Sequence, residues 1–184
     1  NIVTGIYYTM MENECTDLLI SLHEKTRLTE AYLGKMTGDL LYSIHKQVMI
    51  YRANIPINTV NSIQLVVPRK AEFEPGFKLW AERVAQLATQ VSCRIETYGG
   101  KGTLAKLQEV WDAGKYKMPT THHEYREWHD FLTVANNTGA DDMVIFIVGR
   151  KGTLSRHNYM DHLEDQLERY FSSRSMMLIY PEQL

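Results

Sequence analysis

Short runs dominated by hydrophobic residues, each bounded by turn-forming residues, recur along the chain. Most are four to six residues long, which is typical of a buried β-strand and too short for a buried helix. One further segment alternates polar and apolar residues, as a strand does. The pattern therefore predicts a sheet of short strands. The runs are Leu18–Leu22, Val48–Tyr51, Ile63–Val67, Met143–Val148 and Met176–Tyr180, and the alternating segment is Cys93–Tyr98.

Between these strands, apolar residues recur every three or four positions, as in a helix with one buried face. The clearest stripe contains Phe77, Trp80, Val84, Leu87 and Val91. Strands separated by helices of this length predict parallel pairing through right-handed crossovers. The predicted fold class is therefore α/β, with an open parallel sheet flanked by helices.

Local residues indicate where several helices begin or end. Pro75 is expected in the first turn of the helix that carries Trp80, because proline is tolerated there. Thr103 is expected to begin the next helix as its cap, and Gly139 is expected to end a later one. Residues 114–124 show no clear period, and both a strand and a loop remain open there.

The two ends of the chain share an order of elements. In each, a helix leads to an aspartate, a buried strand, a polar loop, a second helix and a strand that ends in Ile-Tyr. The aspartate of this pattern is Asp17 near the N-terminus and Asp142 in the later copy. If the pattern is a true repeat, residues 1–58 form the C-terminal half of one module and residues 59–184 form a complete second module.

A half module leaves its sheet unfinished, and an unpaired strand edge is a template for association. We expect one of two arrangements. Either the last strands of the two modules, Gln47–Arg52 and Met176–Tyr180, pair with each other, or two chains associate as a homodimer.

The composition is that of an ordinary globular chain, with 184 residues, 44% hydrophobic residues and a formal net charge of −2. This charge argues against a nucleic-acid partner, which would require a cationic face. The longest apolar run, Met143–Val148, is far shorter than the roughly 20 residues of a membrane span. Cys15 and Cys93 form no CxxC motif, which suits a reducing compartment. Because the sequence also begins at Asn1 without a signal segment, we interpret it as a soluble cytosolic piece of a larger protein.

The segment Asp142–Gly152 is similar to the fourth strand and following loop of the universal stress protein family. In that family, an aspartate and a buried strand are often followed by Gly-x-x-Gly, nine residues, and Gly-Ser or Gly-Thr. Gly149 and Gly152 match the first part of this motif, whereas His162 stands where the later glycine belongs.

A similarity over nearly the whole chain concerns the cytosolic C-terminal tails of bacterial sodium/proton antiporters. In that monovalent cation/proton antiporter superfamily, two tandem universal-stress-like modules follow the membrane transporter. The resemblance implies a strand order of 3-2-1-4-5 and a regulatory task without catalysis. It also implies a place at the cytoplasmic face of the inner membrane, with the transporter portion of the same polypeptide as partner. The similar segments are Asp17–His23, Pro56–Thr59, Ala71–Phe77, Arg150–Thr153 and Tyr180–Gln183.

The loop after Met143–Val148 is the best candidate for a ligand site, because ligands of open α/β sheets bind beyond the carboxyl ends of strands, near the switch in strand order. Its glycines let a phosphate approach the backbone, and its cations and hydroxyls supply hydrogen-bond donors. The alternative function is accordingly a free-standing universal stress protein that binds an adenine nucleotide. A solvated basic turn that binds no cofactor is the other interpretation. The candidate residues are Gly149, Arg150, Lys151, Gly152, Thr153 and Ser155.

No other motif predicts catalysis or a metal site. Gly99–Thr103 lacks the spacing of a triphosphate-binding loop and is better explained as a turn and helix cap. His122, His123 and His129 have no further ligand at metal-site spacing, and a hydrolase would need them to converge with a carboxylate. In a regulatory domain, His122 and His123 could instead respond to pH near neutrality. The tryptophans, expected in the core, are Trp80, Trp111 and Trp128.

Overall fold

The computed structural model of the chain describes residues 1–23, 26–27, 31–125 and 131–184, with the side chains of residues 31–34 excepted. Within these residues, the chain alternates helices and strands along most of its length. The strands are β1 (Asp17–Leu22), β2 (Gln47–Arg52), β3 (Ser62–Val66), β4 (Arg94–Gly99), β5 (Thr120–Glu124), β6 (Asp142–Ile147) and β7 (Ser175–Tyr180). The helices are α1 (Ile2–Glu12), α2 (Ala31–Ser43), α3 (Phe77–Val91), α4 (Lys101–Ala113), α5 (Phe131–Asn137) and α6 (Leu163–Phe171). Short 3₁₀ turns lie at Ile57–Thr59, Ala71–Phe73 and Asn158–His162.

The described strands form one sheet of seven, in the order β1-β2-β7-β6-β3-β4-β5. The five strands of residues 59–184 are all parallel and lie in the order β5-β4-β3-β6-β7. This is the predicted order 3-2-1-4-5. The full sheet differs from that five-stranded prediction because β1 and β2 extend it by two strands. The fold class is therefore α/β, with a mostly parallel sheet.

The sheet is continuous between the two predicted modules, because β2 pairs antiparallel with β7. Ile50 lies opposite Leu178 in this ladder. The pairing is the one expected for the last strands of two repeated units. A side-chain contact also connects residues 1–58 to the remainder, since the Arg83 guanidinium of α3 lies 3.1 Å from the Asp17 carboxylate of β1.

The repeated order of elements is visible in the packing. The series α1-β1-α2-β2 corresponds to α5-β6-α6-β7, and each series contributes one pair of parallel strands. The two pairs meet antiparallel at the β2–β7 ladder, so an approximate two-fold axis relates them. All four helices of these series pack on the same face of the sheet, as a two-fold axis perpendicular to the sheet requires.

The opposite face of the sheet is covered by α3 and α4. The apolar stripe of α3 is buried there, with Trp80 and Val84 essentially inaccessible to solvent. Trp111 of α4 is also fully buried, and its indole N–H donates a hydrogen bond to the carbonyl oxygen of Ala81. The core positions predicted for Trp80 and Trp111 are confirmed, whereas Trp128 lies outside the described residues.

Two predicted helix starts are wrong by a few residues. Helix α3 begins after Gly76, so Pro75 precedes the helix instead of lying in its first turn. Helix α4 is preceded by Gly100, and Thr103 lies inside the helix. The Thr103 hydroxyl donates to the carboxylate of Glu72 at 2.7 Å. It therefore binds a residue distant in sequence instead of capping the first turn of α4. The ambiguous segment 114–124 ends in β5, an edge strand.

Candidate functional site

The loop that follows β6 is folded tightly upon itself. A Cβ atom at Gly149 would lie 2.4 Å from the carbonyl carbon of Ser155, so only glycine allows this approach. Gly152 adopts a φ of +83°, which glycine tolerates and other residues disfavour. The amide and hydroxyl of Thr153 both donate to the carbonyl oxygen of Arg150. Both glycines thus serve the loop's own turn geometry.

Arg150 is the buried centre of this region, with 4% of its surface exposed. Its guanidinium donates four hydrogen bonds to backbone carbonyl oxygens that lie far away in sequence. The acceptors are Leu41 (3.0 Å), Ile44 (2.6 Å), Lys46 (2.6 Å) and Pro181 (2.9 Å). We call this set of contacts the Arg150 clamp. Three acceptors belong to residues 1–58, so the clamp joins the two parts of the chain beside the β2–β7 ladder.

The clamp has a clear electrostatic basis. The last carbonyls of an α-helix lack intrahelical partners and carry partial negative charge. Arg150 supplies both donors and a positive charge at the end of α2. Burial lowers the pKa of Arg150 to about 10, which still keeps the side chain cationic at neutral pH.

The other side of the loop faces an acidic residue. The amide N–H of Ser155 donates to the Glu74 carboxylate at 2.8 Å. Next to it, the His157 ring lies 3.0 Å from the carbonyl oxygen of Arg69. These contacts cross between the carboxyl ends of β3 and β6, where the strand order switches. The cavity lined by Glu74, Thr153 and Ser155 has a volume of about 10 Å³, which is the space of a single water molecule.

A much larger space also borders Arg150. It is a cleft of about 730 Å³ between the end of α2, the loop after β6, the start of α6 and the end of the chain. We call it the α2–α6 cleft. Arg150 and Lys151 line it. The structure therefore divides the six predicted site residues: these two cations reach the cleft, whereas Thr153 and Ser155 line the small cavity with Arg150.

Three of the five segments that carry the antiporter resemblance, Ala71–Phe77, Arg150–Thr153 and Tyr180–Gln183, meet at this end of the sheet. A Cβ atom at Gly76 would lie 2.6 Å from the backbone nitrogen of Glu182, so the loop before α3 lies directly against the end of the chain. The amide of Gln183 donates to the carbonyl oxygen of His45 at 2.8 Å. These two contacts, like those from Arg150 to residues 41–46, link segments more than 100 residues apart in sequence.

His122 and His123 project to opposite faces of β5, because successive side chains of a strand alternate. The two ring nitrogens of His122 lie 2.6 Å from the Thr97 hydroxyl and 2.8 Å from the Gln108 side-chain oxygen. The His123 ring contacts the Glu96 carboxylate at 3.1 Å and stacks on Tyr98. The two histidines do not converge, and His129 lies outside the described residues.

Burial and hydrogen bonding shift several pKa values near β5. Burial lowers the pKa of His122, an effect that Glu124 opposes and His123 reinforces. Burial raises the pKa of Tyr98 to about 12, and its hydroxyl donates to Gln64. Burial also raises the pKa of Glu96, but hydrogen bonds from Gln64 and His123 outweigh it, so the net shift is downward. The neutral form of His122 is therefore favoured in the folded chain.

Sequence reasoning missed three residues of this region. Glu74 and His45 belong to segments distant from the loop, and nothing in the local pattern connects them to it. Arg156 lies next to the predicted loop, where its guanidinium pairs with Asp161 at 2.9 Å. The only sequence feature that could have identified Arg156 is its positive charge directly after the predicted loop.

The described residues contain no group of three or more histidine, cysteine, aspartate or glutamate side chains placed to hold a metal ion. No helix in these ranges combines the length and hydropathy that crossing a bilayer requires.

Comparison with known proteins finds a likeness of fold. The chain is similar to the crystal structure of a universal stress protein from Archaeoglobus fulgidus DSM 4304, with a TM-score of 0.58 and 12% sequence identity. The similarity covers 98% of this chain and 65% of that one. No family model matches the sequence, and no curated protein matches it either. The comparison therefore supports a universal-stress-protein-like fold.

Proposed function

We propose that the chain is a regulatory, non-catalytic domain of a monovalent cation/proton antiporter. It would act at the cytoplasmic face of the inner membrane, with the transporter portion of the same polypeptide as its partner. A regulatory domain influences transport when an effector or partner binds its alternative arrangements unequally. The proposal therefore requires residues whose contacts connect distant parts of the domain, so that binding at one place alters the arrangement of the whole domain.

The observation that carries this proposal is the Arg150 clamp. Three segments that resemble antiporter tails, around Gly76, Arg150 and Pro181, contact one another through it and its neighbours. The clamp also reaches the end of α2, so it couples the N-terminal half of the pattern to the C-terminal half. These segments lie far apart in sequence and resemble the same family, yet they contact one another at one junction. Their arrangement supports a role in coupling the two parts of the domain, as regulation requires, instead of catalysis at a single site.

The nucleotide-binding alternative has less support from the geometry. The loop amide of Ser155 already donates to Glu74, and a phosphate would have to displace this carboxylate. The adjoining cavity of about 10 Å³ is far too small for a phosphate group. These contacts favour the antiporter proposal over nucleotide binding at this loop.

The test uses everted membrane vesicles that contain the complete polypeptide encoded by the gene. Addition of Na⁺ or K⁺ should dissipate an imposed pH gradient, measured by the fluorescence of acridine orange. Arg150→Ala should shift the cation concentration for half-maximal response by about fivefold or more, with Lys117→Ala, an exposed residue, as the control. Absence of cation-dependent dissipation, or identical responses from both variants at equal expression, would refute the proposal.

A further inference from the structure

The α2–α6 cleft combines a suitable size with a position between the two parts of the chain. Its volume of about 730 Å³ falls in the range of pockets that bind small organic molecules, roughly 300–1,000 Å³. One wall is formed by the end of α2 and the residues that follow it, from Thr37 to His45, and the opposite wall is the loop after β6 with the start of α6. A ligand here would contact both parts of the chain at once.

The cleft has a partly apolar lining. Met160, Leu163 and Tyr180 belong to it but are almost fully buried, so each presents only a small area to a ligand. More accessible apolar surface comes from the side of α2, where Leu41 is partly buried and Tyr42 is exposed. Burial raises the pKa of Tyr180 above its usual range, so the phenol stays uncharged. These side chains suit the hydrocarbon or aromatic body of a ligand.

The charge on the cleft wall favours an anionic head group. Arg156 is neutralised by Asp161 in a 2.9 Å ion pair. The buried cation Arg150 contacts carbonyl dipoles, and no carboxylate among the described residues pairs with it. Lys151 adds an exposed positive charge. A buried positive charge without a counter-charge is stabilised when an anion binds beside it.

The acidic residues of the cleft limit how much negative charge a ligand can bring. Glu164 lines the cleft together with Asp161, so a polyphosphate would be repelled more strongly than a single negative group.

We infer that the α2–α6 cleft binds a small organic monoanion with an apolar body, and that its head group is held by Arg150 and Lys151. The inference rests on the proposed function in one respect only: the bound anion would be the effector of the regulatory domain. The binding site itself is a property of this chain and can be measured without any transport.

Gly38 provides a way to close the cleft without disturbing the fold. It lies on the cleft wall, and a Cβ atom there would meet no heavy atom within 4 Å. Gly38→Leu should therefore fill the space that a ligand needs. Gly5 of α1 also has open space around it and does not line the cleft, so Gly5→Leu is the matched control.

The probe is 8-anilinonaphthalene-1-sulfonate, which combines aromatic rings with one sulfonate. Titration of the 184-residue chain by calorimetry and fluorescence should give saturable 1:1 binding. The neutral analogue N-phenyl-1-naphthylamine should bind about fivefold or more weakly, since it lacks the charge. Gly38→Leu should weaken binding of the sulfonate about tenfold or more, and Gly5→Leu should leave it unchanged.

Lys151→Glu is the second variant, because an exposed substitution leaves the fold intact. It should weaken sulfonate binding and leave the neutral analogue unaffected. Equal affinity for the charged and neutral probes, or sulfonate binding that survives both Gly38→Leu and Lys151→Glu, would overturn the inference. Such a result would refute the binding site but not the antiporter proposal, which the vesicle experiment tests. Conversely, a negative vesicle experiment would refute the antiporter proposal but not the binding site.

Discussion

The Arg150 guanidinium donates a hydrogen bond of 2.6 Å to the carbonyl oxygen of Ile44, which lies 106 residues earlier in the sequence. Arg150 thereby completes the end of α2, although it belongs to a loop at the far end of the chain. One side chain thus satisfies carbonyl groups from both parts of the fold. Its replacement should affect the stability of the whole sheet.

Arg150→Ala leaves several buried carbonyl groups without donors. We expect the free energy of unfolding in urea to fall by about 3 kcal/mol or more. Arg150→Lys keeps the charge but cannot contact four acceptors at once, so its loss should be about half as large. Lys151→Ala, at the exposed neighbouring position, should change stability by less than about 0.5 kcal/mol. Equal stabilities of the Ala and Lys variants at position 150 would contradict this account of the clamp.

Two glycine substitutions should have opposite effects on stability. In Gly149→Ala, the new methyl group would lie 2.4 Å from the Ser155 backbone, so we expect a loss of about 1–3 kcal/mol. In Gly5→Ala, a helical position with open space gains helix propensity, and stability should rise by about 0.5–1 kcal/mol. Thermal unfolding followed by circular dichroism gives both values. A neutral Gly149→Ala would show that the loop does not require glycine for its own packing.

Adenine nucleotides should not bind the loop after β6, because Glu74 holds the Ser155 amide and the adjoining cavity has no room. Calorimetry of the purified chain with ATP and with AMP should show no saturable heat. The same titration of Gly38→Leu distinguishes the two sites if heat is seen. Saturable heat that persists in this variant would place a nucleotide at Gly149–Ser155 and revive the nucleotide-binding alternative.

Acidification should destabilise the chain through His122. Burial lowers its pKa in the folded state, so the unfolded chain binds the proton more readily. Stability should therefore be complete above the unfolded pKa of about 6.5 and decline as the pH falls through the lower folded value. His122→Gln should reduce the slope of unfolding free energy against pH in this window. His162→Gln, at an exposed position, is the control, and an unchanged slope in His122→Gln would contradict the assignment.

The sheet was largely predictable, because buried strands and one-sided helices leave strong periodic patterns. The repeat marked by Asp17 and Asp142 led to the expected pairing of β2 with β7. The helix start at Thr103 was misassigned because Glu72, 31 residues earlier, competes for the hydroxyl. Residues 114–124 show no clear period and leave both a strand and a loop open, so the alternation that separates His122 from His123 could not be applied.

The site was less predictable than the fold. The sequence draws attention to the loop from Gly149 to Ser155, because charge and glycine content are local properties. It could not indicate that Arg150 contacts carbonyls 104–109 residues away, since every residue supplies such an acceptor. The sequence also could not indicate which residues of the loop line the small cavity beside Glu74 and which line the α2–α6 cleft.

The ladder between β2 and β7 determines how this molecule can move. Five residue pairs, from Val48–Tyr180 to Arg52–Met176, join the two parts through backbone hydrogen bonds. Rotation of one part against the other about this line would break these hydrogen bonds. Any rearrangement that keeps the sheet intact therefore has to carry β2 and β7 together.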